Sequence, residues 1–225
     1  MIRIKPAPSV GFSCECGGSF ISSELVWQGL FICNKLTCQR CSSVIYDSLP
    51  VNQSHLNHYR LYPEKSIVKD STGKIIHDNW YSLILKSITD PSVKPVEIEI
   101  EVIKKVDKVI ILNTLDCVYG HSLLYLLNLQ KLTGAEKKYE VIVLVQPMMK
   151  WLIPKSSVAE IWTVNLDFNA FRKYYPELTV RINKELERFR EVFISSGHIV
   201  PTNTNIKITL STSWQYTFDS IIKIF

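Results

Sequence analysis

Apolar and polar residues keep two different rhythms along this chain, and the change falls near residue 106. Before it, apolar positions come in short bursts broken by glycine and polar turns. Phe20 to Cys33 reads as two strands about a Gln28-Gly29 turn, and Ser43 to Tyr46 as a third. Ser66 to His77 reads as a hairpin around Asp70-Ser71-Thr72-Gly73, and Trp80 to Ile88 as a short helix stopped by Asp90-Pro91. Val96-Glu97-Ile98-Glu99-Ile100-Glu101-Val102 alternates residue by residue, the mark of a strand with one wet face.

After residue 106 the strands lose that alternation. Lys108 to Leu115 is a continuous apolar run of strand length and Glu140 to Gln146 a second buried strand, which suit a parallel sheet covered on both faces, and Val158 to Val164 reads as a third strand. A helix is predicted from Leu123 to about Leu132, closed by Gly134, and another begins within Asn169 to Tyr174. From Pro176 the residues Leu178, Ile182, Leu186, Phe189 and Phe193 fall on one helical face, predicting a helix to about Ser196, ended by Gly197. Ile206 to Leu210 reads as a further strand. Strands alternating with helices predict an α/β layered domain.

Composition narrows this little. Hydrophobic residues are 46% of the 225 and charged residues 21%, enough apolar material for a real core. The net charge of +5 is spread in short pairs such as Lys104-Lys105 and Lys137-Lys138, not in a stripe, so a nucleic-acid partner is not expected. No apolar run approaches the roughly 20 residues of a spanning helix. Met1 to Val10 has no apolar signal core. The expected location is the cytosol, at most against the inner face of the membrane.

Five of the six cysteines lie between residues 14 and 41. In a cytosolic chain that density points to metal rather than to disulfides. Cys14-Glu15-Cys16-Gly17-Gly18 and Cys38-Gln39-Arg40-Cys41 read as two tight turns, each offering two thiolates. Brought together by a hairpin, they make a tetrahedral zinc site in a small, β-rich, zinc-ribbon-like module. Four thiolates would leave no position for a reacting water, so the expected Zn2+ is structural. Cys33 is a spare that either replaces one ligand or sits buried in a strand. Cys117 is isolated in a loop, and no sequence feature identifies an activating base for it.

The segment Asp116-Cys117-Val118-Tyr119-Gly120-His121-Ser122 joins a buried strand to a helix, where ligands of open parallel sheets bind. Gly120 admits a ligand close to the backbone. His121 either caps the helix or takes a proton from an alcohol. Neither a G-x-G-x-x-G fingerprint, nor a P-loop, nor a serine-hydrolase elbow occurs.

The run Leu115 to Gln130, with its Tyr119-Gly120-His121 core, resembles the opening Rossmann unit of GT-B-type bacterial glycosyltransferases. Met149-Lys150-Trp151-Leu152-Ile153-Pro154, Glu160-Ile161-Trp162 and a Cys-rich N-terminal part with Trp27-Gln28-Gly29 are similar to the same enzymes. Residues 1–62 read as the zinc-ribbon-like module and 63–105 as a β-rich connection, and the resemblance implies a Rossmann-like parallel sheet with flanking helices over 106–225. It implies an acceptor-side half, acting in polysaccharide or glycoconjugate assembly on a glycan acceptor. His121 would be the base, and Gly120, Tyr119 and Asp116 would contact substrate. The nucleotide-sugar would bind a second domain, absent from these 225 residues or carried by a partner chain. The alternative is a non-catalytic module that binds protein or nucleic acid through Trp27, Phe31 and Arg40, or a scaffold using an apolar patch from Trp214 to Phe225.

Overall fold

The computed structural model describes residues 1–7, 10–29, 31–52, 58–133 and 139–195. Its elements run β1 (Ile2–Lys5), β2 (Phe20–Trp27), β3 (Ile32–Cys38), β4 (Val44–Ser48), β5 (Tyr59–Tyr62), β6 (Ile67–Asp70) and α1 (Asn79–Thr89). They continue through β7 (Ile98–Val102), β8 (Lys108–Asn113), α2 (Tyr119–Leu126), α3 (Asn128–Leu132), β9 (Glu140–Val145), β10 (Glu160–Val164), α4 (Pro176–Leu186) and β11 (Glu191–Ile194). The strands form two sheets, a six-stranded one in the order β1-β11-β8-β9-β10-β7 and a five-stranded one in the order β2-β3-β4-β5-β6. The fold is therefore mixed α/β. No helix of the described residues is long and apolar enough to cross a membrane.

In the larger sheet β11, β8, β9 and β10 are parallel, while β1 and β7 add antiparallel edges. The unbroken apolar runs of β8 and β9 follow from burial on both faces. Val109, Ile111, Ile142 and Leu144 face one core. Leu112, Val141, Val143 and Val145 face another, beneath Leu126 and Leu129 of the α2–α3 segment. On β7 the sequence alternation has its expected cause, since Ile98 and Ile100 pack on the core while Glu99 meets Lys150 and Glu101 meets Lys155. Charge along an edge strand also discourages pairing with other chains.

The first core continues into the smaller sheet through Val26, Ile32, Leu61 and Val68, with α1 and α4 contributing Ile84 and Ile182. β1 belongs to the larger sheet, paired with β11, so the boundaries expected at residues 62 and 105 do not follow the sheet edges. β1 and β11 are far apart in sequence, and no local pattern announces that pairing.

Three sequence expectations are corrected. The last helix stops at Leu186, and Glu191–Ile194 is a strand. Phe189 and Phe193 continue the helical spacing by coincidence. Val192 and Ile194 carry a two-residue rhythm that suits the slot beside β8, where they pair with Val109 and Ile111. The helix after β8 begins at Tyr119 rather than Leu123. The segment Phe168–Arg172, where a helix is expected to begin, is a 3-10 turn, as is Pro147–Leu152. Gly134, Gly197, Ile206 to Leu210 and Trp214 to Phe225 lie outside the described residues.

Trp27-Gln28-Gly29 ties the two sheets together. The Trp27 amide donates to Thr179 Oγ1 and its indole N–H to Asn183 Oδ1, both on α4 and both at 2.9 Å. Gln28 Nε2 donates to Ser87 of α1, and Asn113 Nδ2 at the end of β8 donates to the Gly29 carbonyl. Gly29 has φ +98°, and a Cβ there would lie 2.7 Å from Phe171 Cδ1. Gly29→Ala is expected to cost about 2–3 kcal/mol, part backbone strain and part overpacking, read as a lowered thermal midpoint.

A buried carboxylate marks the opposite end of the same sheet. Glu160 is 2% exposed and takes two hydrogen bonds from Arg188, at 3.0 and 2.8 Å, and one from Trp162 Nε1 at 2.7 Å. Removing the cation would strand a buried charge. Because the Arg188 side chain is itself 41% exposed, the expected loss for Arg188→Ala is at the low end, about 2–3 kcal/mol by denaturant titration.

Candidate functional site

The two cysteine turns meet at the tip of the smaller sheet. Cys14 and Cys16 precede β2, in a turn closed by Cys14 N–H to Gly18 O and Gly17 N–H to Cys14 O, each 2.8 Å. Gly17 takes φ +81°, a value that favours glycine. Gly18 is required for space instead, because a Cβ would lie 2.8 Å from Cys38 Sγ. Cys38 ends β3, and the turn to β4 returns through Ser42 at φ +60°. Cys38 N–H donates to Ser43 O, and the Arg40 guanidinium reaches across to Cys16 O at 2.7 Å. Phe20, Leu36 and Ile45 form a small separate core beneath the turns.

All four sulfurs lie within 4.8 Å of one another. Cys14 to Cys41 is 3.6 Å and Cys16 to Cys38 is 3.5 Å. A disulfide would need about 2.05 Å. Four sulfurs at about 2.3 Å from one tetrahedral ion are about 3.8 Å apart, close to the observed spacing. The donor set suits a soft or borderline divalent ion. Cys33 is not a member of the cluster: it is fully buried in β3, and that burial pushes its thiol up to about 12.

The thiols are unlike one another. Cys14 is pushed up to about 12: the Cys16 amide pulls it down, but desolvation and the neighbouring thiols outweigh that pull. Cys41, accepting from the Ser43 hydroxyl and then the Ser43 amide, is lowered to about 6. Between the first two cysteines, Glu15 is clamped by Lys65 at 2.5 Å and Lys69 at 2.8 Å, which lowers its carboxyl to about 2.

The second group lies beyond the carboxyl end of β8. Asp116 is fully buried; its Oδ1 accepts the Val118 amide at 2.8 Å and stands 3.4 Å from His121 Nδ1. Gln146, at the end of β9, donates to the Asp116 carbonyl at 2.8 Å and to Ser122 Oγ at 3.3 Å. His121 sits in the first turn of α2 with its side chain 44% exposed. Gly120 is exposed with open space above it, so an alanine would also be accommodated there. Tyr119 opens α2. Its ring packs edge-on against Phe168 at 5.9 Å, at the rim of the second core. Cys117 is buried, its thiol raised by that burial and by Asp116 against a pull from Arg172.

Trp27 and Phe31 are each 1% exposed, so they cannot form the contact face considered with Arg40. Sequence reasoning missed Gln146. Its position directly after an unbroken apolar strand is the signal that could have found it, because strand ends carry the polar groups of parallel sheets. Comparison with known protein families, with curated proteins and with solved structures finds no match.

Proposed function

We propose that this chain is the acceptor-side half of a GT-B-type glycosyltransferase, with His121 as the base and Asp116 as the residue that positions it. The observation that carries the reading is the buried Asp116 carboxylate 3.4 Å from His121 Nδ1 at the carboxyl end of a parallel strand. The sheet order adds support. β9 and β10 lie on one side of β8 and β11 on the other, so the chain reverses direction at β8. Ligands of Rossmann-like sheets bind outside such a reversal.

In the proposed reaction His121 Nε2 takes the proton of an acceptor hydroxyl, while Nδ1–H is directed to Asp116. The oxygen then bonds to the anomeric carbon of the donor sugar, and the bond from that carbon to the nucleotide diphosphate breaks, the electron pair leaving with the phosphate. Asp116 offsets the charge that forms on the imidazole. The cysteine cluster is read as a zinc-ribbon-like site for structural Zn2+. When bound, the ion would fasten the two turns through Cys14, Cys16, Cys38 and Cys41, remote in role from the transfer.

Calorimetric titration with oligosaccharide acceptors and with nucleotide-sugars tests the reading. Saturable heat with an acceptor and none with nucleotide-sugars is expected of an acceptor-side half. Binding of a nucleotide-sugar would place the donor site in this chain and overturn the assignment.

A further inference from the structure

A cavity of about 330 Å³ opens between α1 and the Phe168–Arg172 turn, lined by Gln28, Trp80, Ile84, Ser87, Asp90 and Arg172 among others. It shares no lining residue with the Asp116–His121 pair. Its size falls at the lower end of small-molecule sites, roughly 300–1,000 Å³.

Gln28 is 1% exposed, and its Oε1 has no hydrogen-bond partner. A buried acceptor left without a donor carries an uncompensated desolvation cost, so an unpaired one at a cavity wall asks for a ligand donor. The amide nitrogen gives one of its two N–H groups to Ser87 Oγ, so the carbonyl oxygen is the atom left without a protein partner. A ligand hydroxyl can supply the donor that this oxygen lacks. Trp80, Leu83 and Ile84 supply an apolar wall on which the C–H face of a sugar ring can lie. Lys86, Arg172 and Lys173 ring the mouth against a single carboxylate, Asp90. None of the three cations forms a salt bridge with a described residue.

We infer that this cavity binds an acidic sugar: a pyranose whose hydroxyl donates to Gln28 Oε1, whose ring lies on Trp80, and whose carboxylate or phosphate meets Arg172 and Lys173. The site is independent of transfer at His121. A charge-assisted hydrogen bond is stronger than a neutral one, so the negative group should dominate affinity.

The test is titration of the full chain with glucuronate, glucose 1-phosphate, glucose and uridine monophosphate, followed by calorimetry. Both acidic sugars should saturate one site, with glucose at least about tenfold weaker. An Arg172→Ala/Lys173→Ala variant, both positions exposed, should keep its thermal midpoint and lose the acidic sugars by at least about tenfold, whereas His121→Ala should keep them. Equal binding of glucose, absence of saturable binding by either acidic sugar, tighter binding of uridine monophosphate, or full affinity in the double variant would overturn the proposal. None of these outcomes bears on whether His121 acts as a base.

Discussion

Stripping the metal from the reduced chain is expected to lower its thermal midpoint by about 8–16 °C. The figure follows from linkage: an ion present at about a thousand times its Kd adds about 4 kcal/mol, and each kcal/mol moves the midpoint of a chain this size by about 2–4 °C. The loss should be local in origin. The turns rest on a small core of Phe20, Leu36 and Ile45, separate from the large core that joins the two sheets. Amide exchange should therefore rise near residues 14–20 and 38–45 and stay slow in β8 and β9. Cys38→Ser should abolish the one-to-one metal content. Cys33→Ala should retain it, because Cys33 lies outside the cluster.

Proton release gives the same site a second signature. At pH 7 Cys41, lowered to about 6, is already largely thiolate, whereas Cys14, raised to about 12, carries a proton that the metal must displace. Loading at pH 7 should release at least that proton. It should weaken as pH falls and weaken more steeply below about 6, where Cys41 protonates as well. Metal analysis of the purified chain decides the matter: no bound metal, with a midpoint indifferent to chelator, would remove the centre altogether.

What could be read from the sequence divides by the distance between partners. The cysteine turns were legible because each supplies two ligands within four residues, and only their meeting had to be inferred. The buried strands were legible for a similar reason, since a continuous apolar run reports cover on both faces without saying what supplies the cover. Features assembled from afar were not. Gln28, Trp80 and Arg172 come from three separate segments, and each alone reads as ordinary core or surface. The helix expected to continue past Leu186 failed because Phe189 and Phe193 satisfy a helical spacing, while the slot beside β8, which only tertiary structure provides, selects a strand.

Under the proposed glycosyltransferase reading, His121→Ala is expected to slow glycosyl transfer by about 10²–10⁴-fold, the usual contribution of a positioned proton acceptor. In a transfer assay the loss should on that reading fall on kcat, because an exposed imidazole contributes little to holding a glycan through its other contacts. Asp116→Asn should reproduce part of the loss. The amide can still meet the imidazole but cannot offset its positive charge, so the rate should recover as pH rises and hydroxide takes over the proton. A merely structural Asp116 would instead lower stability and leave the pH profile unmoved. That contrast matters because Asp116 is fully buried and also accepts the Val118 amide, so its replacement will disturb the start of α2 to some degree. Full transfer by His121→Ala would leave the histidine as a helix-terminal residue held by a buried carboxylate, and the base would have to be sought elsewhere along the carboxyl ends of β8, β9 and β11.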